Sequence, residues 1–166
     1  MIQAIPELGF DQHSLLLEYR LVSVNSSDYS ETIDSEGSAK KIYDWHDRTI
    51  LIAEDEEFNF LYLREILSPT KATILRATDG EMAVQICQNS TVDIILMDIK
   101  MPRMNGLEAT KTIRSFNVTI PVIAQTAYAL MEDSDKCIGA GCNDYLTKPI
   151  SSKVLFGILD QYLRHS

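Results

Sequence analysis

The chain contains 166 residues, 45% of them hydrophobic and 23% charged, a composition typical of a soluble globular domain with one core. The formal net charge of −9 argues against direct binding to nucleic acid, because a phosphate backbone must be met by a surplus of lysine and arginine. No apolar run approaches the roughly 20 residues of a membrane-spanning helix, and the N-terminus lacks the basic and apolar regions of a signal peptide, so we expect a cytoplasmic protein with no membrane segment in this chain.

The first 47 residues differ in composition from the rest, since they carry nine acidic and only three basic side chains. Residues 23–41 are rich in Ser, Asp and Glu and nearly free of large apolar residues, so they cannot bury enough surface to offset the entropy lost on ordering. We predict an N-terminal extension with an acidic flexible linker at 1–47 and one folded domain at 48–166. The apolar segment 15–24 is interpreted as the remnant of an upstream domain.

Beyond residue 47, short β-rich apolar runs alternate with amphipathic stretches, which is the pattern of a parallel sheet with helices on both faces. The predicted strands are 49–53, 73–78, 93–97, 121–125 and 144–147. The predicted helices are 57–67, 81–89, 106–115, 130–138 and 152–163. These elements form five β-α units, so we predict an α/β fold with a doubly wound parallel sheet of five strands.

Chemically active side chains follow four of the five predicted strands. Acids follow the first and third strands, a threonine the fourth and a lysine the fifth: Glu54, Asp55, Asp98, Thr126 and Lys148. Ligands of open α/β sheets bind beyond the carboxyl ends of the strands. We therefore expect these side chains to converge at one edge of the sheet.

Three neighbouring carboxylates repel one another, so this cluster indicates a hard divalent cation, Mg²⁺ or Mn²⁺. We expect Asp55 and Asp98 to bind the ion directly. Glu54 is expected to act through a bound water, and the backbone carbonyl of Lys100 to add a further ligand.

A metal ion alone does not account for a lysine and a threonine at the same edge. Lys148 and Thr126 would both compensate the oxygens of a phosphoryl group that arrives and leaves. Asp98, central among the strand ends, is then the natural acceptor, and the product is an aspartyl phosphate.

Four segments together resemble the receiver domains of response regulators in two-component signalling. They are ILIAEDE at 50–56, IILMDIKMPRMNG at 94–106, PVIAQTAYA at 121–129 and DYLTKPI at 144–150. The likeness covers about residues 49–163. It implies a flavodoxin-like (βα)5 fold with strand order 2-1-3-4-5, in which Asp98 is the phosphoacceptor and Glu54 and Asp55 form the acidic pair for magnesium.

The resemblance also implies roles for residues around the phosphoryl group. Lys148 would contact that group, and the peptide bond before Pro149 would be cis. Thr126 is similar to the switch hydroxyl that moves toward the phosphoryl oxygens, and Tyr145 to the aromatic side chain that turns inward when this hydroxyl moves. The alternative for Tyr145 is simple half-buried packing on an edge strand.

The first predicted helix carries more apolar side chains than one core requires. Its predicted inward face consists of Tyr62, Leu63, Ile66 and Leu67, which leaves three apolar side chains outside: Phe58, Phe60 and Leu61. We predict that these three form a docking face for a histidine kinase or a histidine phosphotransfer protein, because the resemblance implies that the histidine-bearing partner approaches near this helix. The alternative is scattered surface hydrophobes, which are common. The resemblance also implies a possible homodimer through the fourth helix, fifth strand and fifth helix.

Two other functions conflict with the positions of the charges. A phosphatase of the haloacid dehalogenase type also forms an aspartyl phosphate, but its nucleophile and a second Asp lie two residues apart after the first strand. In this chain Asp98 follows the third strand, and Lys100 occupies the second position. A flavodoxin would hold a flavin phosphate after the first strand, where the four acids at 54–57 would repel it.

The sequence ends just past the last predicted helix, so we expect the readout to be a protein contact or to lie upstream. We interpret the chain as the receiver end of a hybrid sensor histidine kinase. A stand-alone single-domain response regulator with a disordered leader is the alternative.

Overall fold

A computed structural model of the chain describes residues 31–33, 39–127 and 131–164, and the apolar segment 15–24 lies outside them. The chain divides into two compact units, residues 1–43 and 44–166. The predicted domain at 48–166 lies within the second unit, which begins at Asp44. Trp45 is buried, and its backbone N–H donates to the backbone carbonyl of Thr70 at 2.7 Å. The centre of its ring lies 5.9 Å from that of Phe156. These contacts make the segment before residue 48 part of the domain.

In the first unit, two short strands lie within the predicted linker. Strands β1 (Glu31–Ile33) and β2 (Ala39–Lys41) pair antiparallel, with Glu31 opposite Lys41. The predicted acidic linker thus includes paired backbone at 31–33 and 39–41, and the role of residues 1–47 as an extension and linker stays a prediction. A two-stranded hairpin depends on backbone hydrogen bonds and cross-strand pairs and needs no buried core of its own.

The second unit contains a parallel sheet of five strands. They are β3 (Thr49–Ala53), β4 (Thr73–Ala77), β5 (Ile94–Asp98), β6 (Val122–Thr126) and β7 (Asp144–Thr147). Their spatial order is β4-β3-β5-β6-β7, which is 2-1-3-4-5 when the strands of this sheet are counted along the chain. The predicted flavodoxin-like order is thus confirmed.

In the described residues of this unit, one α-helix follows each strand: four connect the strands, and the fifth follows the last strand. The helices are α1 (Glu57–Leu67), α2 (Gly80–Asn89), α3 (Gly106–Phe116), α4 (Met131–Ala140) and α5 (Ser152–Leu163), and a short 3-10 helix (Ser68–Thr70) follows α1. In the described part of the chain, no helix combines the length and apolar content needed to cross a bilayer.

The central strands are buried on both faces of the sheet, as their continuous apolar sequences predict. One face contributes a cluster that packs with α2, α3 and α4, formed by Leu51, Ala53, Ile95, Met97, Val122 and Ala124 together with helix residues. Because successive side chains of a strand alternate between faces, Glu54, Asp98 and Gln125 lie on the other face. The buried residues of α1 and α5 pack on that side. This alternation brings polar side chains at the strand ends close to the start of α1.

Helix α1 presents a face to the core that agrees with the predicted one only in part: Leu63 and Leu67 are buried as predicted. Its buried residues are Phe60, Leu63 and Leu67, with the i, i+3, i+7 spacing of one helical stripe. Tyr62 is 50% exposed, and its hydroxyl donates to the carbonyl of Ile150. The prediction was therefore wrong in placing Tyr62 inward and Phe60 on the exposed docking face. The guanidinium of Arg76 lies 4.4 Å from the centre of the Phe60 ring and covers it.

Candidate metal and anion site

Three carboxylates meet at the carboxyl ends of β3 and β5. Glu54 and Asp55 directly follow β3, and Asp98 is the last residue of β5. One oxygen from each carboxylate lies within 4.8 Å of the others. Glu54 and Asp98 are buried, whereas Asp55 is half-buried. A cluster of oxygen donors that opens on one side fits Mg²⁺, which prefers oxygen ligands and keeps several waters.

The ammonium group of Lys148 connects two of these acids. Its Nζ donates to Asp98 Oδ2 at 2.5 Å and to Glu54 Oε2 at 2.7 Å. Burial acts to lower the pKa of Lys148, but the hydrogen bonds with Asp98 and Glu54 outweigh burial and raise that pKa above its ordinary value. The side chain therefore carries a positive charge at neutral pH. The peptide bond between Lys148 and Pro149 is cis, as predicted, and the N–H of Lys148 donates to the carbonyl of Thr126.

Glu54 is held on both sides by protein donors. Its Oε1 accepts hydrogen bonds from Asn59 Nδ2 at 3.2 Å and from the N–H of Glu56 at 3.3 Å. Burial raises the pKa of Glu54, and the hydrogen bonds from Lys148 and Asn59 offset this only in part. Asn59 is a residue that the sequence prediction missed. Its position in the first turn of α1, directly over the strand ends, is a signal that could have identified it.

A cavity of about 280 Å³ opens beside the carboxylates. Its lining includes Asp55, Asp98, Lys100, Thr126 and Lys148, so it contains all the predicted strand-end residues except the fully buried Glu54. The N–H of Lys100 donates to Asp98 Oδ1 at 3.0 Å, and Thr126 is 7% exposed. The cavity can therefore admit a small anion between an ammonium group, a hydroxyl and a group of carboxylates.

The loop between β5 and α3 is held against the start of α2. Arg103 forms an ion pair with the buried Asp79, which caps α2 by accepting from the N–H of Met82. Burial alone would raise the pKa of Asp79, but its hydrogen bonds from Met82 and Arg103 lower it. The N–H of Gly80 donates to the carbonyl of Met104 at 2.9 Å. These contacts fix the backbone that follows Asp98.

Gly106 closes this loop where a larger residue does not fit. A Cβ atom there would lie 2.0 Å from the carbonyl oxygen of Asp98. We therefore expect Gly106→Ala to displace Asp98 and to lower the free energy of unfolding by about 1–3 kcal/mol. Urea unfolding followed by the fluorescence of Trp45, the single tryptophan, measures this change.

The matched control for this substitution is Gly157→Ala, since Gly157 is exposed in α5 and an added Cβ there meets nothing within 4 Å. Alanine in place of a helical glycine should raise stability by about 0.5–1 kcal/mol. Equal stability of Gly106→Ala and the wild-type protein would contradict the close approach of Gly106 to Asp98.

Tyr145 and several other large apolar side chains of the described residues are exposed. Tyr145 is 41% exposed on β7, and Ile138 on α4 and Val154 on α5 are also exposed. The switch role of Tyr145 and the pairing of two copies through α4, β7 and α5 stay predictions. Of the three residues of the predicted docking face on α1, Phe58 is 84% exposed, Leu61 is half-buried and Phe60 is buried. The docking role of this face stays a prediction.

Comparison with known proteins identifies relatives along most of the chain. A family model described as response regulator receiver domain matches residues 50–160. The chain is 32% identical over 149 residues to the sensor histidine kinase RcsC of Escherichia coli K12, and the alignment covers 90% of this chain and 16% of RcsC. It is 33% identical over 118 residues to the polar-differentiation response regulator DivK of Brucella anthropi, covering 70% of this chain and 96% of DivK. The chain thus spans about a sixth of the length of the kinase.

Solved structures of receiver domains also resemble this chain. The receiver domain of the sensor histidine kinase PA1611 of Pseudomonas aeruginosa, with a magnesium ion coordinated in its active site cleft, matches with a TM-score of 0.65 and 35% identity over 69% of this chain and 96% of that one. A chain of the complex between the histidine phosphotransfer protein Ypd1 and the receiver domain of Ssk1 from Saccharomyces cerevisiae matches with a TM-score of 0.67 and 31% identity over 69% and 88%. The matches therefore agree with the fold, and the chain belongs to the family of response regulator receiver domains, the phosphoacceptor modules of two-component signalling.

Proposed function

We propose that Asp98 receives a phosphoryl group from the phosphohistidine of a partner protein, with a divalent cation bound at the acidic cluster. The observation that carries this proposal is the contact of Lys148 with both Asp98 and Glu54 at the edge of an open cavity. A cation fixed beside a buried carboxylate is the arrangement that compensates the charge of a transferring phosphoryl group.

Asp55 and Asp98 are suited to hold Mg²⁺ directly, and the carbonyl of Lys100 is the proposed backbone ligand. Glu54 is buried and bonded through both carboxylate oxygens to protein donors, which favours an indirect role through a water. When bound, Mg²⁺ supplies positive charge that neutralises the carboxylates and the phosphoryl oxygens.

In the transfer step, a carboxylate oxygen of Asp98 attacks phosphorus and forms the new P–O bond. The P–N bond of the donor breaks, and its electron pair returns to the imidazole nitrogen. Lys148 then moves from the carboxylate to a phosphoryl oxygen, and the hydroxyl of Thr126 donates to another. Both donors already line the cavity that contains Asp98, so their movements stay within the site.

Incubation with an acyl phosphate tests this function directly. We expect the protein with Mg²⁺ to gain the mass of one phosphoryl group, and peptide mapping to locate it on the segment that contains Asp98. The same incubation with a chelator should give no gain, because the carboxylates then repel the incoming anion. A gain that is equal with and without the metal would contradict the proposed site.

The partner is proposed to dock on Phe58, in the first turn of α1. This side chain is 84% exposed and adjoins Asn59, which is bonded to Glu54 in the site. The complex of Ypd1 with the Ssk1 receiver supports a histidine phosphotransfer protein as one such partner, and RcsC supports a histidine kinase as another.

We expect Phe58→Ala to slow phosphoryl transfer from a phosphorylated histidine protein about tenfold, since an exposed aromatic anchor at an interface contributes about 1–2 kcal/mol. Phosphorylation by the acyl phosphate should not change, because that donor needs no docking face. Val118→Ala is the control, since Val118 is 76% exposed and precedes β6, at the opposite end of the strand from the site. A transfer rate unchanged by Phe58→Ala would remove this surface from the proposal.

The chain is proposed to act within a longer hybrid kinase. The alignment with RcsC covers 90% of this chain, more than residues 44–166 alone provide, whereas the alignment with DivK covers 70%. The likeness to the kinase thus extends into the N-terminal extension, which favours the hybrid kinase over the stand-alone alternative. An immunoblot of the native protein distinguishes them: a species of about this chain's 18.7 kDa would support the stand-alone regulator.

A further inference from the structure

The side chain of Gln125 lies beside the proposed phosphoacceptor. Asp98 and Gln125 are Cα partners on the adjacent parallel strands β5 and β6, so their side chains project from the same face of the sheet. Gln125 is completely buried and lines the cavity that contains Asp98 and Lys148. It also lines a second cavity of about 350 Å³ beneath α1, which Lys148 and Asn59 share.

The amide of Gln125 is buried without a partner. In the described part of the chain, neither its Oε1 nor its Nε2 has a hydrogen-bond partner. Buried polar groups in folded proteins are nearly always paired, and an unpaired amide is less stable than an apolar side chain of the same shape. Two of its neighbours on the same face are apolar and offer no hydrogen bond: Ile123 precedes it by two residues, and Leu146 is its Cα partner on β7. A buried polar side chain without a hydrogen-bond partner costs stability, and such a departure indicates a functional role.

Lys148 has the chemistry that such an amide would complement. An ammonium group has three N–H donors, and two of them reach Asp98 and Glu54. When a phosphoryl group occupies Asp98, the ammonium must leave the carboxylate oxygen and turn toward the phosphoryl oxygens. A neutral acceptor in the same cavities can bind the ammonium group while it moves. Another carboxylate would attract the ammonium group more strongly and would draw it away from the phosphoryl oxygens.

We propose that Gln125 is a positioning residue for phosphoryl transfer: when the ammonium group of Lys148 leaves the carboxylate of Asp98, the side-chain carbonyl of Gln125 accepts a hydrogen bond from it and holds it toward the phosphoryl oxygens. This inference rests on the proposed function of Asp98. Gln125 makes and breaks no covalent bond and acts only through Lys148.

A double-mutant cycle tests this coupling. The four proteins are the wild type, Gln125→Met, Lys148→Met and the double variant, and methionine keeps the shape of glutamine without its hydrogen bonds. The rate of phosphorylation by an acyl phosphate in Mg²⁺ is measured by intact mass, and stability by urea unfolding. We expect Gln125→Met to be about tenfold slower than the wild type, although no less stable, and to cause no further slowing in the Lys148→Met background.

Two controls make the result specific. Gln85→Met introduces the same change on an exposed position of α2 and should leave the rate unchanged. Gln125→Leu should reproduce the slow phosphorylation of Gln125→Met, since it also lacks the carbonyl.

The outcomes separate this inference from the proposed function. A wild-type protein that takes up no phosphoryl group would overturn both. If the wild type is phosphorylated and Gln125→Met reacts equally fast, Gln125 is only a packing residue and the inference alone fails. Slowing by the same factor with and without Lys148 would also overturn it, because Gln125 would then act independently of the ammonium group.

Discussion

Asp98→Asn should abolish phosphorylation by both the acyl phosphate and a phosphohistidine protein. Asparagine has almost the same shape and keeps an oxygen that can accept from Lys148, but its amide is not a nucleophile toward phosphorus. The fold should persist, because the substitution removes one charge from a cluster of three acids within 4.8 Å and so relieves repulsion. Intact mass after incubation in Mg²⁺ measures the loss.

The control for Asp98→Asn is Asp135→Asn, which makes the same chemical change on an exposed position of α4. This variant should be phosphorylated like the wild type. If Asp98→Asn still gains the mass of a phosphoryl group, peptide mapping will show which residue carries it. Such a gain on Asp55 or on a residue outside the cavity would reject Asp98 as the acceptor.

The sequence was sufficient to predict the sheet and the residues at its edge. Strands β3 and β5 are buried on both faces, so their apolar runs stand out from the helices between them, and the predicted bounds agree with the structure within one residue. In a parallel sheet the carboxyl ends of the strands share one edge. The position of Asp98 and Lys148 after their strands was therefore enough to predict that they lie at the same edge, although they are far apart in the chain; the structure adds the hydrogen bond between them.

The packing of individual side chains could not be predicted in this way. Helix α1 has apolar residues at nearly every position from 58 to 63, so a buried face with Tyr62 and one with Phe60 both fit the helical period. In the structure Phe60 is buried, with Arg76 over its ring. Trp45 joins the domain through Phe156, which is remote in sequence. Gln125 lies beside Asp98 because of the register between β5 and β6. The sequence of either strand alone does not specify which residues face each other across the pair.

Lys148→Met should have the largest effect on stability and a large effect on rate. It leaves the buried carboxylates of Glu54 and Asp98 without their ammonium partner. Removal of one member of a buried ion pair lowers the free energy of unfolding by about 3 kcal/mol. The charge that compensates the phosphoryl oxygens is also lost, so we expect phosphorylation to slow on the order of a hundredfold. Lys153→Met, an exposed lysine of α5, is the control and should change neither quantity.

The pH dependence of Lys148→Met distinguishes a lost charge from lost packing. Burial already raises the pKa of Glu54 above its ordinary value of 4.5, and loss of the hydrogen bond from Lys148 should raise it further. A carboxyl group with a raised pKa in the folded state contributes stability below its unfolded pKa, and this contribution is lost as the pH rises through the folded pKa. Urea unfolding in the presence of a chelator should therefore show a small difference from the wild type in acid, which grows toward neutral pH. A difference that is equal at all pH values would mean that Lys148 stabilises the site through its aliphatic chain and not through its charge.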